Sequence, residues 1–187
     1  MLLGGIIRLD HIAYRVKDRH KTVDFFIKAF GYHVQTEFDI KFDNGATAKC
    51  FALEPPEKQI DGLPWTCDIL PEELTNITSY HLAPEIFVSD GDPESVVGRW
   101  VAKRDGIGGI HHLAYQVESV QAQMDIWKEK GYAEFTTAAP LTCPGLTQVF
   151  TKPSELTGVI YEFIERGTHG FCQDNVKQLM ISTDNLK

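Results

Sequence analysis

The chain has 187 residues, of which 43% are hydrophobic and 24% are charged, and its formal net charge is −8 at pH 7. This acidic balance argues against a protein that binds nucleic acid or acidic membranes. No apolar stretch approaches the ~20 residues of a transmembrane helix, and the N-terminal residues lack the pattern of a signal peptide. We therefore predict one cytoplasmic domain over residues 1–187, with its four cysteines as reduced thiols.

An internal repeat dominates the sequence. The segment His-Ile-Ala-Tyr-Arg-Val at 11–16 returns as His-Leu-Ala-Tyr-Gln-Val at 112–117. Each copy continues into an amphipathic stretch that ends in Gly-Tyr, at 31–32 and at 131–132. The chain therefore reads as a duplicated module, with a histidine at the matched position of each copy.

The first copy begins with alternating residues over 6–16, which predict a strand. A helix follows, with Asp18 as its N-cap and Gly31 as its end. Residues 33–42 and 46–54 predict a hairpin, because the Asn-Gly pair between them favours a tight turn.

Residues 80–89 predict the fourth strand of this copy, so the first module is βαβββ over 1–90. The segment 55–79 before that strand is rich in proline and has no regular pattern. Loops of this length are often functional, so the segment is either a lid over a site or a surface insertion.

The second copy follows a bridging helix over 92–105, which begins with a proline in its first turn. Its plan repeats that of the first copy, and a helix ends the chain. The predicted elements of module two (106–166) and the tail are a strand over 109–117, a helix capped at Ser119, strands near 132–138, 146–152 and 159–165, and a helix over 172–183. Neither module can bury its sheet face alone, so we predict an α+β fold. Its two tandem βαβββ modules form a cupped, partly closed mixed sheet with helices outside.

A lone glutamate lies in an apolar strand of each copy. Glu162 is flanked by Val-Ile-Tyr and Phe-Ile, and burying an unpaired carboxylate costs several kcal/mol. Aligning Glu-Ile-Phe-Val with Glu-Phe-Ile-Glu places Glu85 opposite Glu162, although a slip of one residue would turn Glu85 to the other face. Taken singly, each of these residues has a structural alternative.

Together, the repeat supplies two histidines and two glutamates at related positions. This donor set suits one divalent ion of Fe, Co, Ni, Mn or Zn better than calcium. We therefore predict a metal site formed by His11, Glu85, His112 and Glu162.

Neighbouring residues extend the candidate site. Arg15 and Gln116 lie one step beyond the histidines on the same face, so either could meet a substrate carboxylate or carbonyl; structural pairing is equally open. His111 points away from His112 along a regular strand, and we interpret it as structural.

Paired βαβββ modules with His on the first strand and Glu on the last resemble the vicinal oxygen chelate superfamily. Its members include glyoxalase I, methylmalonyl-CoA epimerase, the extradiol and 4-hydroxyphenylpyruvate dioxygenases, and bleomycin-resistance proteins. Residues 94–100 and 109–114 are similar to the middle of the epimerases. Residues 161–166, Gly170-Phe171 and Asn175 resemble the end of the 4-hydroxyphenylpyruvate dioxygenases, in which a terminal helix closes over the iron site. This resemblance adds Phe171 and Asn175 to the substrate-binding candidates.

The chain also departs from each of these relatives. The epimerases carry a further acid on the third strand, whereas residues 46–51 contain none. The dioxygenases use three protein ligands, so a bound Glu85 would fill a position that they leave open. The four-residue set is most similar to that of glyoxalase I, where a metal-bound Glu also acts as a base, although we find no clear glutathione-binding residues.

The first hypothesis is therefore an isomerase, epimerase or lyase. It would transfer a proton through a metal-stabilised enolate of a small carbonyl or acyl-thioester substrate, with Glu162 and Glu85 as the catalytic bases. The second is an Fe(II) dioxygenase for a 2-keto acid, in which Glu85 is not a ligand. The third is a non-catalytic small-molecule binding or resistance protein. In each case the partner is a small molecule, and a homodimer is an open alternative to a monomer.

Overall fold

The computed structural model describes residues 5–56, 83–167, 172–184 and 186. These residues form four helices and an eight-stranded mixed sheet that curls into a half-barrel. The predicted α+β fold with a cupped sheet is confirmed. None of the helices in these ranges is long and apolar enough to cross a membrane.

The elements follow the duplicated plan. The strands are β1 Ile6–Val16, β2 His33–Lys41, β3 Thr47–Glu54, β4 Glu85–Gly91, β5 Gly108–Val117, β6 Leu141–Cys143, β7 Leu146–Phe150 and β8 Ile160–Arg166. The helices are α1 Arg19–Phe30, α2 Val96–Ala102, α3 Val120–Lys130 and α4 Gln173–Ser182. The sheet order is β2-β3-β4-β1-β5-β8-β7-β6. The first strands of the two copies, β1 and β5, pair antiparallel at the centre, and each pairs parallel with the last strand of its own copy.

The helix caps repeat in both copies, as the sequence predicts. The Asp18 side chain accepts from the Lys21 backbone N–H, and the Ser119 side chain accepts from that of Ala122. Gly31 and Gly131 end α1 and α3 in the left-handed conformation, with φ of 74° and 67°. Glycine adopts this conformation without the steric cost that a Cβ imposes.

The bridging helix is shorter than the predicted span of 92–105. Ser95 is the N-cap, and its Oγ accepts from the Gly98 N–H at 2.9 Å, so α2 begins at Val96. The preceding turn folds back beneath the helix and brings the Asp92 carbonyl oxygen close to Gly98. A Cβ at Gly98 would lie 2.1 Å from this oxygen, so the turn requires glycine there. The proline therefore belongs to this turn rather than to the helix.

The strand predicted near 132–138 is wrong. Only Phe135 makes a bridge, to Thr151, and the chain then turns where Thr137 Oγ1 donates to the Ala139 carbonyl at 2.8 Å. The second hairpin forms after this turn, between β6 and β7. Its shift places β6 beside the C-terminal helix, since Asn175 Nδ2 donates to the Leu141 carbonyl.

The two faces of the sheet have different covers. On the outer face, α1 buries Val23 and Phe26 against β3 and β4, and α3 buries Val120 and Met124 against β7 and β8. Each such side chain contributes about 1.5–3 kcal/mol by burial. The alternate residues of β1 and β4 face the inner side, where Val176 of α4 joins their core cluster. The C-terminal helix therefore covers the cupped face of the sheet.

Candidate metal centre

Three side chains converge on the inner face of the central strands. His11 Nε2 and His112 Nε2 lie 3.2 and 3.0 Å from the same oxygen of Glu162, Oε2, and 3.3 Å from each other. All three residues are buried, and each offers one ligand atom within 4.8 Å of the others. Three of the four predicted ligands, each from a different strand, therefore meet at one point.

The sheet register explains this convergence. In the antiparallel pair, His11 lies opposite Ala114 and His112 lies opposite Ala13, so the two histidines are offset diagonally. Glu162 lies beside Ala114 in the parallel pair of β5 and β8. Because Ala13 and Ala114 have small side chains, they leave space beside the histidines for the three polar side chains.

Glu85 does not join this cluster. Its carboxylate accepts a hydrogen bond from Arg166 Nη2 at 3.0 Å. Glu162 pairs with the residue two positions after His112, whereas Glu85 pairs with His11 itself. The residue that corresponds to Glu162 in the first copy is therefore Phe87, opposite Ala13. The sequence alignment was out of step by two residues, which keeps Glu85 on the same face but moves it one pleat along the strand.

Each copy has a β-bulge directly before its ligand histidine. The register of β1 and β5 passes from Leu9 to His11 and leaves Asp10 without an opposing residue. It likewise omits His111 on β5. A bulged residue interrupts the alternation of faces, so both side chains turn towards the histidine that follows. Regular alternation, which predicts that His111 points away from the site and gives Asp10 no part in it, is therefore wrong at both positions.

Asp10 orients His11. Its Oδ1 lies 2.8 Å from His11 Nδ1, and Arg166 donates two bonds of 2.7 Å to the same carboxylate. Burial would raise the pKa of Asp10, but His11 and Arg166 hold it well below its usual range. An ionised acceptor on Nδ1 fixes the tautomer in which Nε2 of His11 is the free ligand atom.

His111 has the same place beside His112. The Nδ1 atoms of the two rings are 2.8 Å apart, and the His111 ring packs against Trp100 at 5.4 Å between centroids. Burial lowers the pKa of His111 well below its ordinary value, and the charge of Arg15 lowers it further. The ring is therefore neutral.

The electrostatics of the three converging side chains fit a cation. Burial alone would lower the pKa of His11, but Glu162 and Asp10 raise it to about 9. Burial lowers the pKa of His112 to about 4, against the opposing effect of Glu162. Burial would raise the pKa of Glu162, but the two histidines lower it to about 2. The positive charge of protonated His11 thus stabilises the Glu162 carboxylate in the metal-free protein. Two imidazoles and one carboxylate are also a donor set that suits a divalent transition metal.

A cavity opens beside these three residues. It is a small space that is partly open to solvent. Its walls are largely apolar, and they include Phe87, Phe150 and three residues of α4: Val176, Leu179 and Met180. Gln148 lines the same space and donates from Nε2 to Glu162 Oε1 at 2.6 Å, a contact that the sequence analysis also missed.

The four predicted substrate-binding residues have different positions. Arg15 lines the cavity. Because β1 and β5 are antiparallel, Gln116 lies at the opposite end of this strand pair from Arg15. Its side chain accepts a hydrogen bond from Arg8 Nε at 3.0 Å. Asn175 anchors α4 to β6. Phe171 and nearly all of the segment 55–79, which the sequence leaves open as a lid or a surface insertion, lie outside the described residues.

Residues 10–142 match the family model of the glyoxalase/bleomycin resistance protein/dioxygenase superfamily. The chain belongs to this superfamily, and the predicted resemblance to the vicinal oxygen chelate proteins is confirmed. No curated protein sequence matches the chain at a significant level.

Solved structures of the same fold include two kinds of enzyme. A methylmalonyl-CoA epimerase is 23% identical with a TM-score of 0.60, over 87% of this chain and 97% of its own. The epimerase from Mycobacterium tuberculosis is 20% identical with a TM-score of 0.58, over 87% and 89%. A mutant 4-hydroxymandelate synthase from Streptomyces coelicolor is 16% identical with a TM-score of 0.70, over 96% of this chain. The chain spans 54% of the length of that synthase. At these identities the likeness concerns the fold.

Proposed function

We propose that the protein is an Fe(II)-dependent dioxygenase that acts on a small 2-oxo acid. His11, His112 and Glu162 would hold the ion. One observation carries the proposal: Phe87 stands where the first copy would place a second carboxylate. Two histidines and one carboxylate with open positions are typical of non-haem iron oxygenases.

The lining of the cavity argues against the proton-transfer hypothesis. Glu162 is the one acidic residue among the described residues that line this space. Its Oε1 accepts from Gln148, and its Oε2 faces both histidines. A general base needs a free oxygen within reach of the proton that it removes. Glu85, the other base in that hypothesis, is bonded to Arg166 instead.

A ferrous ion at this site would chelate the 2-oxo acid and activate dioxygen, while the oxidation of the 2-oxo acid itself would supply the electrons. Residues around the three ligands orient them and exclude water from one side of the cavity. Asp10 orients His11, and Gln148 orients Glu162. Phe150 packs on His112 with 4.6 Å between ring centroids, so an apolar wall keeps water from one side of the cavity.

The third hypothesis, a binding protein without a metal, leaves the polar cluster unexplained. A binding protein gains nothing from three converging ligand atoms, each of which loses solvent on burial. A measurement of the metal content therefore tests the proton-transfer hypothesis and the binding-protein hypothesis together.

The test is to purify the protein without added metal or chelator, measure its metal content, and follow oxygen uptake with phenylpyruvate. We expect near-stoichiometric iron and oxygen uptake that the Glu162→Ala variant abolishes. Glu85→Gln is the matched control and should retain both. Cobalt, nickel or zinc with deuterium exchange at a substrate carbon, and no oxygen uptake, would favour proton transfer. A protein that binds no metal on titration would overturn both enzymatic hypotheses.

A further inference from the structure

Three polar atoms of the cavity residues are buried without a hydrogen-bond partner. They are Arg15 Nη1, His111 Nε2 and Gln148 Oε1. Buried polar atoms in native proteins are nearly always paired, so unpaired atoms around one cavity point to a molecule that completes them. The metal would account for the three ligands, but not for these atoms.

Arg15 is the most informative of the three. Its side chain is 3% exposed, and Nη2 donates to Thr183 Oγ1 at 3.1 Å, beside the end of α4. No carboxylate in the described part of the chain forms an ion pair with it. The guanidinium lies 5.8 Å from the Trp100 ring centroid. Asp184, whose charge acts on Arg15, is itself ion-paired with Arg99. A buried cation without an ion pair of its own is unusual unless a ligand supplies the anion.

Arg15 and the metal ligands mark two ends of the space. Arg15 follows His11 by four residues on the same face of β1, so their Cα atoms are about 13 Å apart. Ala13 and Phe87 line the stretch between them. A ligand that reaches both ends therefore needs a chelating end, an apolar middle and an anionic far end.

His111 adds a second donor. A metal on His112 Nε2 leaves the proton of that ring on Nδ1, where it donates to His111 Nδ1 at 2.8 Å. Because His111 Nδ1 accepts this bond, the proton of the His111 ring lies on Nε2, the atom without a partner. Two donors thus belong to the wall of the same cavity.

We propose that the Arg15 end of the cavity is an anion subsite, and that the substrate is a 2-oxo acid with a second carboxylate at its far end. This inference rests on the proposed function, because the chelating end requires the metal site. Arg15 is in this account a substrate-binding residue that sets specificity.

The test compares two probes of equal length on the zinc-loaded protein, which does not react with oxygen. 2-Oxoadipate and 2-oxohexanoate differ in the terminal carboxylate alone. We expect 2-oxoadipate to bind at least tenfold more tightly by calorimetry, and Arg15→Gln to reduce the difference below threefold. The control is Arg19→Gln, which removes a guanidinium that is paired with Glu37 and Asp90 outside the cavity wall, and which should retain the preference.

Thermal unfolding separates binding from a structural role. Removing an unpaired buried charge should leave the melting temperature of the ligand-free Arg15→Gln protein unchanged or higher. A lower melting temperature with an unchanged preference would make Arg15 structural and overturn the subsite. If Arg15→Gln does not fold, Arg15→Lys provides the second variant, with the preference reduced but present. If zinc does not bind, the proposed function fails as well; if zinc binds and the two probes bind equally, the subsite alone is overturned.

Discussion

The two modules share one plan and contribute unequally to the site. The first supplies His11 and the second supplies His112 and Glu162. At the position that corresponds to Glu162, the first module has Phe87, whose ring centroid lies 6.4 Å from that of His11. The duplication therefore sets the geometry of the strands, while single residues decide where the ligands are. This asymmetry is what leaves open positions around the proposed metal.

The largest expected effect comes from removing the ligand that only the second module has. Glu162→Ala should weaken iron binding at least a hundredfold, because it removes the one carboxylate of the cluster. Glu85→Ala should change it less than threefold, since that side chain bonds Arg166. Anaerobic titration with ferrous ion measures both constants. Equal losses in the two variants would contradict the assignment of the ligands.

A carboxylate in the first module at the position equivalent to Glu162 should block the proposed reaction with oxygen. Phe87→Glu would place a carboxylate in the first module where the second has Glu162. We expect at least tenfold tighter zinc binding and loss of oxygen uptake, because a fourth protein ligand fills a position that substrate or oxygen needs. Phe87→Leu is the control, and it should bind zinc as the wild type does. Full oxygen uptake in Phe87→Glu would mean that Phe87 is not at an open position.

The bulged residues allow a finer comparison. Asp10→Asn keeps the shape of the side chain but removes the charge that fixes the His11 tautomer, so we expect metal affinity to fall about 10–100-fold. Because Arg166 also bonds this carboxylate, thermal unfolding should accompany the metal titration. Lower stability with unchanged metal affinity would give Asp10 a purely structural role.

The pH dependence of the metal-free protein is the smallest expected effect. The pKa of His11 is raised from 6.5 to about 9, so its protonation stabilises the fold fully below pH 6.5 and this contribution is lost as the pH rises through 9. Urea unfolding at pH 6.5 and pH 9 should show a lower free energy of unfolding at pH 9. The His11→Gln variant should lose this difference. The same decrease in that variant would assign the pH effect to another group.

The sequence predicts much of this fold because its signals are local. The β1 strand, the caps Asp18 and Ser119, and the Asn-Gly turn each depend on a few neighbouring residues, and the structure contains them all, although a bulge at Asp10 interrupts the alternation of β1. The repeat added long-range information, since it matched His11 with His112. These features suffice to predict the cupped sheet and the two histidines of the cluster, and the lone carboxylate in an apolar strand predicts Glu162 as the third ligand.

What the sequence could not give depends on strand register. Two bulges turn Asp10 and His111 towards the site, and no local pattern distinguishes them from regular strand residues. The alignment of Glu85 with Glu162 failed because a shift of two residues preserves the apolar pattern and the face. Gly108 is an indirect indication of how β1 and β5 pair. A Cβ there would lie 2.0 Å from the Arg15 carbonyl oxygen, so the close approach of β1 and β5 requires glycine at that position.

A crystal structure of the protein soaked with zinc, with anomalous scattering at the zinc edge, tests the central claim most directly. We expect one anomalous peak about 2.0–2.2 Å from His11 Nε2, His112 Nε2 and a Glu162 oxygen, with Glu85 still bonded to Arg166. A peak that includes Glu85 as a ligand, or that lies away from these three side chains, would contradict the account.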